Sequence, residues 1–204
     1  MKIDLIKDKK KLILLFLGYS FTPSSVRHLN LEDYGLCVVY NYSDLWFDYE
    51  ILKDREIYLI AWSMGVWAAN LVLKDIKLKT AVAINGTPFG IDDEFGIKKD
   101  IFYKSISDYD FEGFKKLCFL GISENKIKDF QFNQNAKFEL INLYKNASQK
   151  NEDHINWNKA IISKKDLIFP SKVCLDYFKQ KAVCINAPHF VFFKFKSFGE
   201  IFEI

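Results

Sequence analysis

The chain has 204 residues, half of them hydrophobic, with 20 Phe and 10 Tyr; this length and apolar content point to one folded domain with a substantial core and exclude disorder. Its net charge of +3 comes from interspersed basic and acidic residues, so nothing points to nucleic acid, while an acidic protein partner stays open. No apolar run reaches membrane-spanning length without a charge, and Asp4 stands where a signal peptide would need an apolar stretch.

Residues 1–7 alternate weakly, as an edge strand would, and 8–11 form a charged turn. Residues 12–17 are continuously apolar, the mark of a strand covered on both faces. That run stops at Gly18, whose lack of a side chain permits close backbone approach. Pro23, with Ser24 and Ser25, then opens a predicted helix containing 26–29. Residues 36–40 read as a strand and 45–53 as a short amphipathic helix. A buried strand follows over 56–62, then a helix over 64–74, then a strand over 80–84 that ends at Asn85-Gly86-Thr87-Pro88-Phe89-Gly90. Short apolar strands alternating with helices imply a mostly parallel sheet wrapped by helices.

From about 91 to 158 the texture changes. Phe, Tyr, Leu and Ile mix with many Lys and Asp, and 111–117 and 138–144 carry helical periodicity. We read this as a helical cap inserted over the sheet's carboxyl edge, within a single domain whose core is 1–90 and 159–204. Ordinary helices packed on the core are the alternative. The sheet resumes at 160–163. A loop over 164–170, a helix over 171–179, a last strand over 182–185 and a loop over 186–190 follow. The aromatic tail, 191–204, fits helix and extended chain equally well. The four cysteines stand singly in apolar segments without metal-site spacing. They read as buried thiols in a reducing cytoplasm, and no metal or cofactor is expected.

The junction at Ala61-Trp62-Ser63-Met64-Gly65 carries the chemistry. A serine at the tip of a tight strand–helix turn is a nucleophile elbow. Strand and helix nearly touch there, so the positions two before and two after the serine must be small. Glycine is usual at both; Ala61 and Gly65 occupy them here. The helix start aims backbone N–H groups and a partial positive charge at the place where an oxyanion would form.

A serine hydroxyl needs a base, and the base needs an acid to orient it. Of the three histidines, His28 has a packed or surface setting and His154 a solvated one. His189 follows the last strand, and in an open parallel sheet the carboxyl ends of the strands share one edge. His189 is therefore the candidate base. Asp166 follows the preceding strand on the same edge and is the candidate acid, although capping its own turn would also explain it. Asp44 and Asp92 follow strands too and are weaker candidates. Met64 and Tyr19 are placed to supply the two oxyanion N–H groups. Phe21, Trp62, Trp67 and Phe89 are candidates for an apolar acyl groove, with plain core packing as the alternative.

Five segments recur together in one known family: Phe16-Leu17-Gly18-Tyr19-Ser20, Ala61-Trp62-Ser63-Met64-Gly65, Asn85-Gly86-Thr87-Pro88-Phe89-Gly90, Asp166-Leu167-Ile168-Phe169-Pro170 and Ala187-Pro188-His189-Phe190. The chain resembles, nearly end to end, the BioG family of α/β-hydrolases, the pimeloyl-[acyl-carrier protein] methyl ester esterases of bacterial biotin synthesis. The resemblance implies an α/β-hydrolase fold and attack by Ser63 on the methyl ester, with methanol leaving. It also implies an acidic acyl-carrier protein as partner, docked by Arg27 and lysines of the insertion. A monomer is expected. Two other functions fit the same residues: a general carboxylesterase or thioesterase on free small substrates, and a non-catalytic binding scaffold. The retained order of Ser63, Asp166 and His189 argues against the scaffold.

Overall fold

The apolar runs become the centre of a seven-stranded sheet. The computed structural model describes residues 1–149 and 151–204. The strands are β1 (Lys2–Lys7), β2 (Lys11–Phe16), β3 (Gly35–Tyr40), β4 (Glu56–Trp62), β5 (Leu78–Ile84), β6 (Lys159–Lys165) and β7 (Ala182–Pro188). They lie in the order β1-β3-β2-β4-β5-β6-β7. All neighbours are parallel except β1 and β3, so β1 is an antiparallel edge strand.

Helix α1 (Met64–Val72) follows β4. Among the described residues, four helices lie between β5 and β6: α2 (Lys99–Ser107), α3 (Phe111–Cys118), α4 (Glu124–Ile127) and α5 (Ala136–Ala147). Helix α6 (Ser171–Phe178) links β6 to β7, and α7 (Phe198–Glu203) ends the chain.

Successive strand residues face opposite ways, which explains why the central strands are apolar throughout. Leu12, Leu14 and Phe16 of β2 join Leu59 and Ala61 of β4 on one face, under Val66, Trp67 and Ala69 of α1. Ile13 and Leu15 of β2, with Ile60 and Trp62 of β4, point the other way and meet Phe192, Phe198 and Ile201 of the aromatic tail. Burying each such large side chain contributes about 1.5–3 kcal/mol. Between β5 and β6, Phe102 of α2 stacks on Tyr144 of α5 with ring centroids 6.2 Å apart. Phe114 of α3 meets the Tyr19 ring edge-on at 5.1 Å.

Two segments and one cysteine differ from the sequence reading. The helix predicted over 45–53 shrinks to a 3₁₀ turn, Tyr49–Leu52, because the N-terminal ammonium claims the carbonyls of Asp44 and Trp46 and the Asp44 carboxylate. The helix expected after Pro23 is also only a 3₁₀ turn, Pro23–Val26. Ser25 Oγ donates to Thr22 O at 2.8 Å, and Ser24 Oγ accepts from Gln131 N at 2.7 Å; both serines satisfy the backbone without a full helical turn. Cys184 is exposed, unlike Cys37, Cys118 and Cys174. It lies on the sheet's other edge strand, where residues alternate between partly covered and open. The undecided tail folds into a 3₁₀ turn, Phe192–Lys194, followed by α7, whose cap is Ser197 Oγ accepting from Glu200 N at 3.3 Å.

Candidate active site

Ser63 joins β4 to α1 with φ 57° and ψ −127°, a conformation that L-residues rarely adopt. Its N–H donates to Ile84 O at 2.8 Å. Close backbone approach holds it there. A Cβ on Gly65 would lie 2.5 Å from Phe16 O and 2.6 Å from Leu17 O; one on Gly86 would lie 2.3 Å from Ser63 O. All of these obstacles are backbone atoms, which cannot rotate aside. Gly65→Ala is therefore expected to cost about 3 kcal/mol, the upper end for overpacking. The check is a lowered urea midpoint at unchanged m-value.

The side chains expected at one edge of the sheet do meet. His189 Nε2 lies 3.0 Å from Ser63 Oγ, and His189 Nδ1 lies 2.8 Å from Asp166 Oδ2. The Ser63 and His189 residues are 3 % and 1 % exposed, and the Asp166 side chain is 1 % exposed, so water scarcely competes. Asp166 also caps its turn: Oδ1 accepts the N–H groups of Ile168 at 2.8 Å and Phe169 at 2.9 Å. One carboxylate oxygen thus caps the turn while the other faces His189.

The histidine loop is fixed from behind. His189 O accepts from Trp62 Nε1 at 3.1 Å and from Asn85 Nδ2 at 2.8 Å. Asn85 reaches the end of β6 as well, donating to Ser163 Oγ at 2.9 Å and accepting from Ser163 N at 2.8 Å. Sequence reasoning overlooks Asn85 as a site residue. Its signal is an Asn-Gly pair directly after a strand, and its φ of 47° confirms the turn.

The other candidates are engaged elsewhere. His28 Nε2 sits 3.2 Å from Phe192 O, and partial burial lowers its pKa. His154 meets α1 through its N–H, which donates to Asn70 Oδ1 at 2.8 Å. Asp44 binds the N-terminus. Asp92 Oδ1 accepts from Glu94 N at 2.9 Å and Phe95 N at 2.8 Å, a local turn.

Beside Ser63 opens a cavity of about 540 Å³. Its apolar wall includes Ile101, Phe102, Phe114, Leu117, Leu140 and Ile168, with Asp108, Asp110 and Lys116 as charged members. Tyr19 and Met64 border it, and neither donates its backbone N–H to a protein acceptor among the described residues. The Tyr19 phenol meets no hydrogen-bond partner among the described residues; burial pushes its pKa up, and the nearby Tyr109 hydroxyl adds to the shift.

Phe21, Trp62, Trp67 and Phe89 do not line this cavity. Phe21 packs on Trp62 at 4.6 Å and Phe190 at 5.7 Å, in the core of the opposite sheet face. Trp67 donates to Asn151 Oδ1 at 3.1 Å from the helix side. Phe89 packs on Phe95 and Tyr177, each at 5.5 Å. Arg27 is exposed and also outside the lining. The wall comes instead from α2, α3 and α5, with Ile168 of the loop after β6, and which of their faces line it depends on tertiary packing.

The sequence profile described as "Pimeloyl-ACP methyl esterase BioG" matches residues 1–201. The crystal structure of BioG from Haemophilus influenzae superposes with a TM-score of 0.90 at 32% identity, covering 98% of this chain and 99% of that one. A Haemophilus influenzae protein described as uncharacterized is 34% identical over 94% of each chain. A Bacteroides fragilis malonyl-[acyl-carrier protein] O-methyltransferase is 35% identical over 80% of this chain, but the match spans only 36% of that protein. An esterase from Exiguobacterium antarcticum, at 16% identity and a TM-score of 0.65, shares the fold. With a family profile matched from the first residue to within three of the last, on a mostly parallel sheet with a serine at its strand–helix turn, the chain is an α/β-hydrolase of the pimeloyl-ACP methyl esterase BioG family.

Proposed function

We propose that the chain hydrolyses the methyl ester of pimeloyl-[acyl-carrier protein] methyl ester, with Ser63, His189 and Asp166 as its catalytic triad. Ser63 Oγ attacks the ester carbonyl while His189 Nε2 takes its proton. The carboxylate of Asp166 keeps the Nδ1–H tautomer and stabilises the imidazolium. The N–H groups of Tyr19 and Met64 receive the oxyanion, and the start of α1 adds its positive end. His189 returns the proton to the departing methanol. Water, activated by the same imidazole, then releases the pimeloyl carboxylate with the carrier thioester intact.

The observation that carries this reading is the relay itself: 3.0 Å from Ser63 Oγ to Nε2 and 2.8 Å from Nδ1 to Asp166, beside an apolar cavity. At about 540 Å³ the cavity falls within the usual range for small ligands and suits a methylene chain. In this reading residues 91–158 form a cap, and the carrier stays outside while its acyl arm enters. Arg27 and lysines of the cap meet its acidic surface, and the enzyme works as a monomer.

The test compares methanol release from the carrier-bound methyl ester with hydrolysis of simple aryl esters. The carrier substrate is expected to have at least tenfold higher kcat/KM, about 1.4 kcal/mol of extra transition-state binding. Equal preference would favour a general carboxylesterase. Release of free carrier thiol in place of methanol would identify a thioesterase.

A further inference from the structure

Glu139 is a wholly buried carboxylate that the proposed reaction does not use. Among the described residues it is the one Asp or Glu buried over the whole residue, at 0% exposure. No Lys, Arg or His pairs with it among those residues. Leaving a buried charge unpaired is destabilising, and an apolar side chain of similar size would avoid that cost. Burial pushes its pKa up, opposed by N–H donors around it.

Those donors are specific. Oε1 accepts from Tyr42 N at 3.1 Å, and Oε2 accepts from Asn133 Nδ2 at 2.7 Å. The Ser20 N–H adds to the donors that oppose the rise of its pKa. A carboxylate is an acceptor only, which suits a site built wholly of donors. Tyr42 and Asn133 also each hold a carbonyl of the loop after β2. Tyr42 Oη donates to Leu17 O at 2.5 Å, and Asn133 N donates to Ser20 O at 2.8 Å. Between the two pinned carbonyls lie Gly18 and Tyr19. The turn is closed by Phe21 N donating to Gly18 O at 3.3 Å, and Ser20 is held at φ 65°. One side chain on α5 thus meets two of the residues that hold the loop carrying the Tyr19 N–H.

We propose that Glu139 is a positioning residue for oxyanion stabilisation. It fixes Tyr42 and Asn133, and through them the loop over 17–20, so that the Tyr19 N–H stays aimed beside Ser63. This rests on the esterase reading above. Displacing a donor that acts only on the transition state lowers kcat and leaves substrate binding nearly alone.

The test uses the full chain with Glu139→Gln and Glu139→Ala. Titration of Ser63 with a fluorophosphonate counts active sites, so a reduced folded fraction does not enter the rates. Glu139→Gln keeps the shape but turns one acceptor into a donor. It is expected to lower kcat about tenfold per active site with KM within about twofold. Glu139→Ala is expected to lose about 100-fold with the same split. An alkyl trifluoromethyl ketone, whose adduct with Ser63 Oγ places an oxyanion in the same site, should lose affinity in parallel with kcat. A purely structural role would leave both kcat per active site and ketone affinity near wild type. If Glu139→Ala does not fold, the isosteric Gln variant still decides. Kcat and ketone affinity within twofold of wild type, or a raised KM at unchanged kcat, would overturn the assignment while the esterase reading stands. A wild-type protein without Ser63-dependent turnover would overturn both.

Discussion

Ser63→Ala is expected to lower turnover of the methyl ester by on the order of 10⁴–10⁶-fold while leaving the fold intact. The substitution removes one oxygen, and that oxygen's partner is His189 Nε2 at 3.0 Å. The structural work at this position belongs to the backbone, through the unusual φ and the bond from Ser63 N to Ile84 O. Alanine keeps both. His189→Ala should be about as damaging, and the double variant little worse, because base and nucleophile act as one unit. What remains would come from the oxyanion donors and substrate binding. Single-turnover methanol release, with a thermal melt as control for folding, measures this directly. Turnover near wild type in a folded Ser63→Ala protein would remove Ser63 from the reaction.

Asp166→Asn should lower kcat by on the order of 10³–10⁴-fold for a different reason. One carboxylate oxygen accepts two turn N–H groups and the other faces His189 Nδ1. An asparagine has one acceptor oxygen and one donor NH₂. The turn holds the oxygen, since pointing NH₂ at the N–H groups of Ile168 and Phe169 would leave buried donors facing each other. The NH₂ is then left facing Nδ1, which must accept. The imidazole proton moves to Nε2, and the ring can no longer take the proton of Ser63. The variant should fold and melt near wild type, and it should bind substrate with little change in KM. Loss of kcat below about threefold would show that the carboxylate serves the turn alone.

Much of this arrangement is legible in the residue order, for local reasons. A continuous apolar run means a strand covered on both faces, and 12–17 and 56–62 are the central strands. A strand–serine–helix turn so tight that backbone oxygens lie about 2.5 Å from a would-be Cβ restricts which residues can stand there. In a parallel sheet the strand ends share an edge, so Asp166 and His189 can be placed beside Ser63 by counting strands. Each of these inferences depends on neighbours close in the chain or on topology alone.

The sequence by itself determined the sheet, the serine turn and the three side chains that converge on it. The tertiary structure alone decided which residues form the cavity and what holds its edges. Trp62, which looks like a groove residue, points to the opposite face and braces His189 through its indole N–H. Ile101, Phe102, Phe114 and Leu140 become the wall because the helices between β5 and β6 bring them beside Ser63. Glu139 reads in sequence like any solvated helix glutamate, yet it is buried among donors from two loops after β2 and β3 and from Asn133. Periodicity reports which residues are apolar; only packing settles what lies opposite each one, and burial then turns an ordinary side chain into an anchor or a wall.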